Sequence, residues 1–557
     1  MKKHLLTILV EDYFQVGAFG HLIEEGNWTR FETRYEDNTR RVLDLLDELN
    51  TKATFFVLGW IAERSPELVR QIVSRGHEVA SRGFYHRPLN YLSLQEFRQD
   101  LKRTTKVLED ACGQKVLGYR AARKLDFAKD SWIFEVLAEE GFLYDASFLP
   151  KRASENRFVH QVSVNGQKIW EFPYSTERVG FFLLPISGGN YFRQIPYTLM
   201  RPFVRKWIET EQAPFVFYFH VWELDKTQPR ISAAPFYNRI RHYRKLDKIE
   251  WIIRENLTKY EFSSIAEYLK LPREIKASLC SENVRKEHEI LRVTDLTDVT
   301  IVVPCYNEAE TLIFLKKTLL ELEKELVKSG YRANFIFVDD GSKDKTFEKL
   351  EELFSGHENT QIIKHQKNLG VAASIMTGLR EAKTEIVCSI DCDCSYDPYY
   401  LLKMIPMLDE KTDIVTASPY HPEGKVKNVP AWRLLLSKGA SFLYKVVLGV
   451  EISTYTSCFR VYRRSRLLNM SIREKNFLGV SEILGKVLLA GGKVVEYPAV
   501  LQVRLFGFSK MKTLKVILGH LSLLLRLAFL RFFGKRNRIQ SFPTNENSGV
   551  VRNEAKN

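Results

Sequence analysis

Three short stretches in the second half of the chain carry carboxylates in patterns that suit phosphate and metal chemistry. Pro304-Cys305-Tyr306-Asn307-Glu308, Val338-Asp339-Asp340-Gly341-Ser342 and Asp391-Cys392-Asp393 each close an apolar run, namely Thr300–Val303, Phe335–Val338 and Ile386–Ile390. Two Asp separated by one residue can present hard oxygens to Mg²⁺ or Mn²⁺, and such an ion neutralises a diphosphate. A lone Asp-x-Asp is most often a solvated turn. Three acidic clusters in order, each ending an expected strand, converge on one crevice at the strands' carboxyl ends. The chemistry this suits is compensation of the negative charge of a bound diphosphate.

The elements that must hold these groups are those of an α/β protein. The chain has 557 residues, 45% of them hydrophobic and 27% charged, which gives ample core and excludes a disordered or fibrous class. Residues 1–270 alternate short apolar runs (Thr54–Leu58, Phe215–Tyr218) with helical stretches (Glu96–Ala111, Trp132–Glu140). Residues 271–298, with Pro272 and mixed charges, read as a linker, and a second alternation over 299–510 predicts a parallel sheet. Seven cysteines without paired Cys-x-x-Cys spacing point to reduced thiols rather than a disulfide framework or zinc knuckle. Cys392 and Cys394 flank the Asp pair but are soft ligands, poorly matched to Mg²⁺, and read as packing.

The apolar run Leu5–Val10 is shorter than the core of about 7–15 residues that a secretory signal needs. Nor does any stretch reach the ~18 apolar residues of a spanning helix.

Charge is unevenly spread. Lys+Arg number 83 and Asp+Glu 68, a net +15. No acidic residue stands between Glu496 and Glu546, where Arg504, Lys510, Lys512, Lys515, Arg526, Arg531, Lys535, Arg536 and Arg538 all fall. Lys512, Lys515, Gly519, Ser522 and Arg526 recur at helical spacing beside a wide apolar face. Residues 511–536 therefore read as a basic amphipathic helix lying in a membrane interface, or packed on its own domain, with His520 and Arg531 interrupting the apolar side. The strip is too apolar for a nucleic-acid face. Residues 537–557 are polar and read as disordered.

Residues 299–510 resemble a family 2 glycosyltransferase of the GT-A fold, in the polyprenol-phosphate (dolichol-phosphate mannose synthase-like) branch. The resemblance extends to Asn368-Leu369-Gly370, Ser457-Cys458-Phe459-Arg460 and Arg504-Leu505-Phe506-Gly507-Phe508-Ser509-Lys510. It implies that Pro304, Tyr306 and Glu308 hold the nucleotide, Asp339 and Asp340 the base and ribose, and Asp391 and Asp393 the metal. Where the branch has a Gln two residues after the second Asp, this chain has Ser395. A sugar-hydroxyl acceptor needs a general base, for which Glu482 is the candidate. A lipid-phosphate acceptor is already anionic and needs cations, which Arg460, Arg504, Ser509 and Lys510 would supply. The Gln-x-x-Arg-Trp motif of processive synthases is absent, which favours transfer of a single sugar.

Residues 5–270 resemble the NodB-type polysaccharide deacetylases, whose fold is a distorted (β/α) barrel. The matching stretches include Ile8-Leu9-Val10-Glu11-Asp12-Tyr13-Phe14-Gln15, Gly76-His77-Glu78, Gly118-Tyr119-Arg120-Ala121 and Phe219-His220-Val221-Trp222-Glu223. The resemblance implies a divalent metal held by a carboxylate and two His four residues apart, with an Asp base. Here Leu9 stands at the base position, and the His pair has become Arg82 and His86. Arg120 and His220 survive, and Glu11 with Asp12 could form an adjacent acidic pair.

Losing the base and a ligand together predicts an inactive unit. The expected protein is a cytoplasmic enzyme, peripheral on the inner face of the membrane. It would move one sugar from a nucleotide donor to a polyprenyl phosphate or lipid-linked saccharide in envelope or exopolysaccharide synthesis. The rivals are a bifunctional enzyme with an active deacetylase and a non-catalytic membrane scaffold.

Overall fold

The computed structural model describes residues 3–271, 296–429, 431–507 and 513–533. The chain divides into two compact units, Met1–His288 and Glu289–Asn557.

The N-terminal unit is built on β1 (His4–Val10), β2 (Thr54–Val57), β3 (Glu78–Ser81), β4 (Gly118–Tyr119), β5 (Tyr144–Asp145), β6 (His160–Val164), β7 (Gln167–Glu171), a separate hairpin of β8 (Thr176–Val179) and β9 (Phe182–Pro185), β10 (Val216–His220) and β11 (Phe262–Ser263). The main sheet runs β10-β1-β2-β3-β4-β5-β7-β6, with β11 also on β1. Its strands pair in parallel except β6 with β7, and its two ends do not meet, so the barrel is distorted and unclosed. Every residue of β1 is buried, as a central parallel strand covered on both faces requires. Helix Leu94–Cys112 shows how local sequence sets an element. Ser93 and Glu96 close a capping box at its start, and Gly113, at φ 68°, ends it in the left-handed conformation.

The C-terminal unit comprises β12 (Thr297–Cys305), β13 (Tyr331–Asp339), β14 (Thr360–Lys364), β15 (Ile386–Ser389), β16 (Ile414–Ser418), β17 (Lys425–Lys427), β18 (Arg460–Arg463), β19 (Val494–Pro498) and β20 (Val500–Gln502). The large sheet has the order β14-β13-β12-β15-β18-β16-β19, and β17 pairs with β20 apart from it. This GT-A-type sheet is not wholly parallel as expected: β18 runs against both β15 and β16. Alternation along β12 feeds two cores, as a period of two demands. Val299, Ile301 and Val303 meet the helix Leu312–Lys328, while Val302 packs with the helices Val371–Glu381 and Phe477–Leu489.

The expected linker is shortened by β12, which begins at Thr297; residues 272–295 lie outside the described residues, as do 534–557. Helix Thr513–Phe533 occupies the region expected for the amphipathic helix, and no described helix is long and apolar enough to cross a membrane.

Candidate active site

Register brings the expected acidic clusters of the C-terminal unit together. Cys305 pairs with Asp339 and Val302 with Ser389, so the strand ends of β12, β13 and β15 open on one side. Asn307, at φ 52°, turns the chain there; its N–H donates to Ser342 Oγ (2.8 Å), and its Oδ1 accepts from the Lys343 N–H (2.7 Å), which ties two of the loops. A third is stitched on where the Gln502 N–H donates to Ser395 O (2.9 Å).

That stitch sets Arg504 beside the Asp pair. Its Nε donates to Asp393 Oδ2 (2.6 Å) and its Nη2 to Glu308 Oε1 (2.5 Å). Ser395, standing where the resembled branch has Gln, donates its N–H (2.9 Å) and Oγ–H (2.6 Å) to Asp393 Oδ1 and so aims the other oxygen at Arg504. Burial and the neighbouring Asp393 push the Asp391 carboxyl up to about 7, with Arg504 opposing and Glu308 adding to the rise. Burial counts against charge on Arg504 too, but Asp393 and Glu308 outweigh it and raise its pKa. Three carboxylates against one guanidinium leave a deficit of positive charge. Hard oxygens carrying more negative charge than Arg504 compensates fit a divalent cation. Among the described residues no three side chains form a complete metal cluster. Asp391 and Asp393 are the residues that would hold such an ion.

Asp339 and Asp340 separate into two roles. Asp340 is committed to its own scaffold: Oδ1 lies 2.8 Å from His365 Nδ1 and accepts the Leu369 N–H (2.8 Å), and Oδ2 accepts the Gly370 N–H (2.7 Å). It shapes a loop rather than waiting for a ribose. Gly370, at φ 107°, completes that loop, because a Cβ there would lie 2.5 Å from Lys475 O. Asp339 is buried, and among the described residues its Oδ1 has no hydrogen-bond partner. A cleft of about 380 Å³ lined by Gly341, Ser342, Lys364, His365 and Gln366 adjoins this corner. Pro304 and Tyr306 lie half-buried at the end of β12 and just beyond it.

Three expected roles are corrected. Arg460 is fully buried and spends its guanidinium on Val480 O (2.7 Å), Tyr455 O (2.8 Å) and Thr416 Oγ1 (3.3 Å); it is an internal strut, unavailable to an acceptor phosphate. Glu482 accepts the N–H groups of Arg473 (3.1 Å) and Glu474 (2.7 Å) and pairs with Lys486 (2.8 Å). Burial would raise its pKa, but Lys486 and these N–H groups outweigh that and lower it, which is the wrong direction for a base. Arg504 faces carboxylates, not an awaiting acceptor. Ser509 and Lys510 lie outside the described residues.

The N-terminal cluster sits at strand ends as well: Glu11 follows β1, Arg82 follows β3, Arg120 follows β4, and His220 ends β10. Arg82 Nε donates to Glu11 Oε2 (2.9 Å), and its Nη1 donates to Ala121 O (2.9 Å). His220 Nδ1 lies 2.5 Å from Glu11 Oε1. His86 Nε2 lies 3.0 Å from Arg82 Nη2 and 3.1 Å from Glu11 Oε2, so the guanidinium and the carboxylate both bear on it. Burial lowers the His86 pKa, with Glu11 opposing and Arg82 adding to the fall. Burial alone would raise the Glu11 carboxyl, but Arg82, His86 and His220 outweigh it and hold the pKa well below the usual range.

The Glu11–Asp12 pair does not form. Asp12 turns away to accept the N–H groups of Tyr13 (2.8 Å), Arg34 (2.6 Å) and Tyr35 (3.1 Å), while burial pushes its carboxyl up to about 7. Leu9 is packed among Phe56, Tyr144 and Tyr218. Arg120 donates to Thr7 Oγ1 (2.9 Å) under the rings of Tyr174 and Tyr218. These residues do not fit a metal: Arg82 sets a fixed positive charge 2.9 Å from Glu11 and 3.0 Å from His86, where a cation would need both as ligands.

Comparison with known proteins finds matches in both units. Residues 27–129 match the polysaccharide deacetylase family, residues 150–270 a domain of unknown function (DUF3473), and residues 300–468 glycosyl transferase family 2. A dolichol-phosphate mannosyltransferase of Pyrococcus furiosus is 30% identical over 260 residues, 46% of this chain and 70% of its own length. A polyprenol monophosphomannose synthase of Mycolicibacterium smegmatis is 28% identical over 219 residues, 38% of this chain and 80% of its own. Among solved structures, one from Mycobacterium smegmatis described as a polysaccharide deacetylase aligns with 50% of this chain and 96% of its own at 19% identity and TM-score 0.31. With its carboxylate crevice at the ends of β12, β13 and β15, and a deacetylase-type unit ahead of it, the chain belongs to the family 2 glycosyltransferases, in the branch of the dolichol- and polyprenol-phosphate mannose synthases.

Proposed function

We propose that the enzyme transfers a single sugar from a nucleotide-sugar donor to a lipid-linked phosphate or saccharide, working as a peripheral protein at the inner face of a membrane. The observation that carries this reading is the Asp391–Asp393–Arg504–Glu308 cluster, together with the buried oxygen of Asp339 that has no hydrogen-bond partner among the described residues. A bound divalent cation would supply charge neutralisation of the departing diphosphate. The chain's own residues do the rest. Asp391 and Asp393 hold that ion, Ser395 fixes the rotamer of Asp393, and Arg504 ties Glu308 to it. Asp339 offers its free oxygen to an N–H of the base, on a floor shaped by Asp340.

With Glu482 committed to its own loop, no general base stands in the assignment. That supports an acceptor that is already anionic, such as a lipid phosphate. The names of the two mannosyl relatives support the same acceptor class.

The Arg82–Glu11 pair supports a non-catalytic N-terminal unit over a bifunctional enzyme. Asp393→Ala is the test: donor turnover, followed by release of the free nucleotide, is lost while the circular dichroism spectrum and melting temperature stay those of the parent. Retained turnover rejects the metal assignment, and absence of turnover in the unaltered protein favours a scaffold.

A further inference from the structure

We propose that Cys305 and Cys392 form a reversible oxidation site, which disables the adjoining carboxylate cluster by closing a disulfide bond when a peroxide reaches it. Topology brings the two thiols together. β12 and β15 pair with Val302 opposite Ser389, and the Ile390 N–H extends the ladder to Val302 O (3.1 Å). The same register carried three residues on sets Cys305 opposite Cys392. Their sulfurs lie 3.6 Å apart, in S–H···S contact, and both thiols are free. Neighbouring strands run about 4.8 Å apart, inside the roughly 4.4–6.8 Å that a disulfide spans between Cα atoms.

The surroundings decide which side gives way. Cys305 closes a strand held on both flanks, by β13 and by β15, and its carbonyl accepts the Asp340 N–H (2.8 Å). Cys392 belongs instead to a tight turn beyond β15, where the Cys394 N–H donates to Asp391 O (3.2 Å) and Cys394 takes φ 52°. A disulfide holds its sulfurs about 2 Å apart, so closure draws the turn toward β12 by about 1.5 Å. Asp391 and Asp393 flank Cys392 and travel with it, while Glu308 and Arg504 sit on other segments. A misplacement of about 1 Å can cost 10²-fold in rate.

Cys305 is wholly buried and Cys392 keeps 5% exposure, so the peroxide meets Cys392 first. One peroxide oxygen passes to the Cys392 sulfur as the O–O bond breaks, which leaves a sulfenic acid and one water. The Cys305 sulfur then attacks the Cys392 sulfur. The S–O bond breaks, and the hydroxyl departs with the Cys305 proton as a second water. Two thiols lose two electrons, and one peroxide becomes two waters. Burial of both sulfurs makes this a response to sustained peroxide, not to a passing trace. A thiol reductant reverses it by exchange. For what the bond disables, the inference rests on the proposed function; for the bond itself it does not.

The test exposes the reduced full-length protein to hydrogen peroxide. Peptide mapping without reductant finds Cys305 joined to Cys392. Donor turnover falls by about 10²-fold, Mn²⁺ affinity read by calorimetry falls with it, and dithiothreitol restores both. Cys305→Ala and Cys392→Ala, each compared with its own untreated sample, keep their Mn²⁺ affinity through the same exposure. Should either variant fail to fold, the other and the parent's recovery carry the test. A map that joins these sulfurs to Cys394 or Cys458 instead overturns the inference. So does a loss that persists in both variants, a loss that dithiothreitol does not reverse, or a bond that leaves Mn²⁺ affinity unchanged. A reduced parent that neither binds Mn²⁺ nor turns over donor refutes the proposed function, and the cross-link mapped in it still establishes the oxidation site.

Discussion

Replacing Arg82 by methionine removes the cation from a carboxylate that cannot reach water. The Arg82 and Glu11 side chains are 3% and 1% exposed, and Arg82 is the group of fixed positive charge bonded to Glu11. Breaking a buried pair by removing one partner costs about 3–5 kcal/mol, because the surviving charge is stranded. With a denaturant slope near 3 kcal/mol/M, that moves the urea midpoint down by about 1–2 M. The assay is unusually selective here: Trp28, Trp60, Trp132, Trp170, Trp207, Trp222 and Trp251, seven of the eight tryptophans, belong to the N-terminal unit. Tryptophan fluorescence therefore follows its unfolding in the full chain. Adding Glu11→Gln to Arg82→Met removes the stranded charge and recovers most of the loss.

The pH dependence has a definite sign. The folded pKa of Glu11 lies below its unfolded value of about 4.3, so its stabilisation is present above that value and is lost as pH falls through the folded pKa. The gap between parent and Arg82→Met is accordingly wide at neutral pH and narrows in acid. An unchanged midpoint at pH 7, or a double variant no better than the single one, refutes the view of Arg82 as an internal counter-ion.

Arg82→His instead restores imidazoles four residues apart beside Glu11; the variant takes up a divalent metal measurable by mass spectrometry, but releases no acetate from acetylated glycans while Leu9 occupies the base position. Arg460→Met leaves Tyr455 O and Val480 O without their buried donor and destabilises the C-terminal unit by about 2–4 kcal/mol, read as a lower second transition in calorimetry. Glu482→Gln keeps sugar transfer within about five-fold of the parent, because the group positions a loop rather than a proton, whereas a loss of about 10²-fold or more would restore it as a base. Its lowered pKa also places its stabilising effect above the unfolded value of about 4.3, so the parent's advantage over Glu482→Gln fades in acid.

Strand-terminal carboxylates were legible because β-branched runs and polar stops are local signals. Asp339, Asp391 and Asp393 follow from them without any knowledge of the fold. The Arg82 substitution in the N-terminal cluster was legible for a similar reason: an Arg cannot ligate a cation wherever it points. What stayed hidden depends on direction. Asp340 and Asp339 are adjacent in sequence, yet one is spent on a loop and the other keeps a buried oxygen without a hydrogen-bond partner among the described residues. Arg460 carries the charge of a phosphate ligand but lies on β18, the strand that runs against its neighbours, with its guanidinium drawn to interior carbonyls. Glu482 sits on a helix whose carboxylate turns back to Arg473 and Glu474, a choice made by tertiary packing.

The terminal helix has a practical consequence for anyone trimming this protein. Leu523, Leu524 and Leu527 fill the same core as the helix Phe477–Leu489, although the opposite side of their helix stands bare. Each such leucine is worth roughly 1.5–3 kcal/mol when sequestered, so cutting at residue 512 forfeits about 5–9 kcal/mol, comparable to the net stability of a whole domain. Truncation to improve solubility would expose a greasy trench in the catalytic unit, whereas recolouring the outer side with glutamates keeps the wall in place.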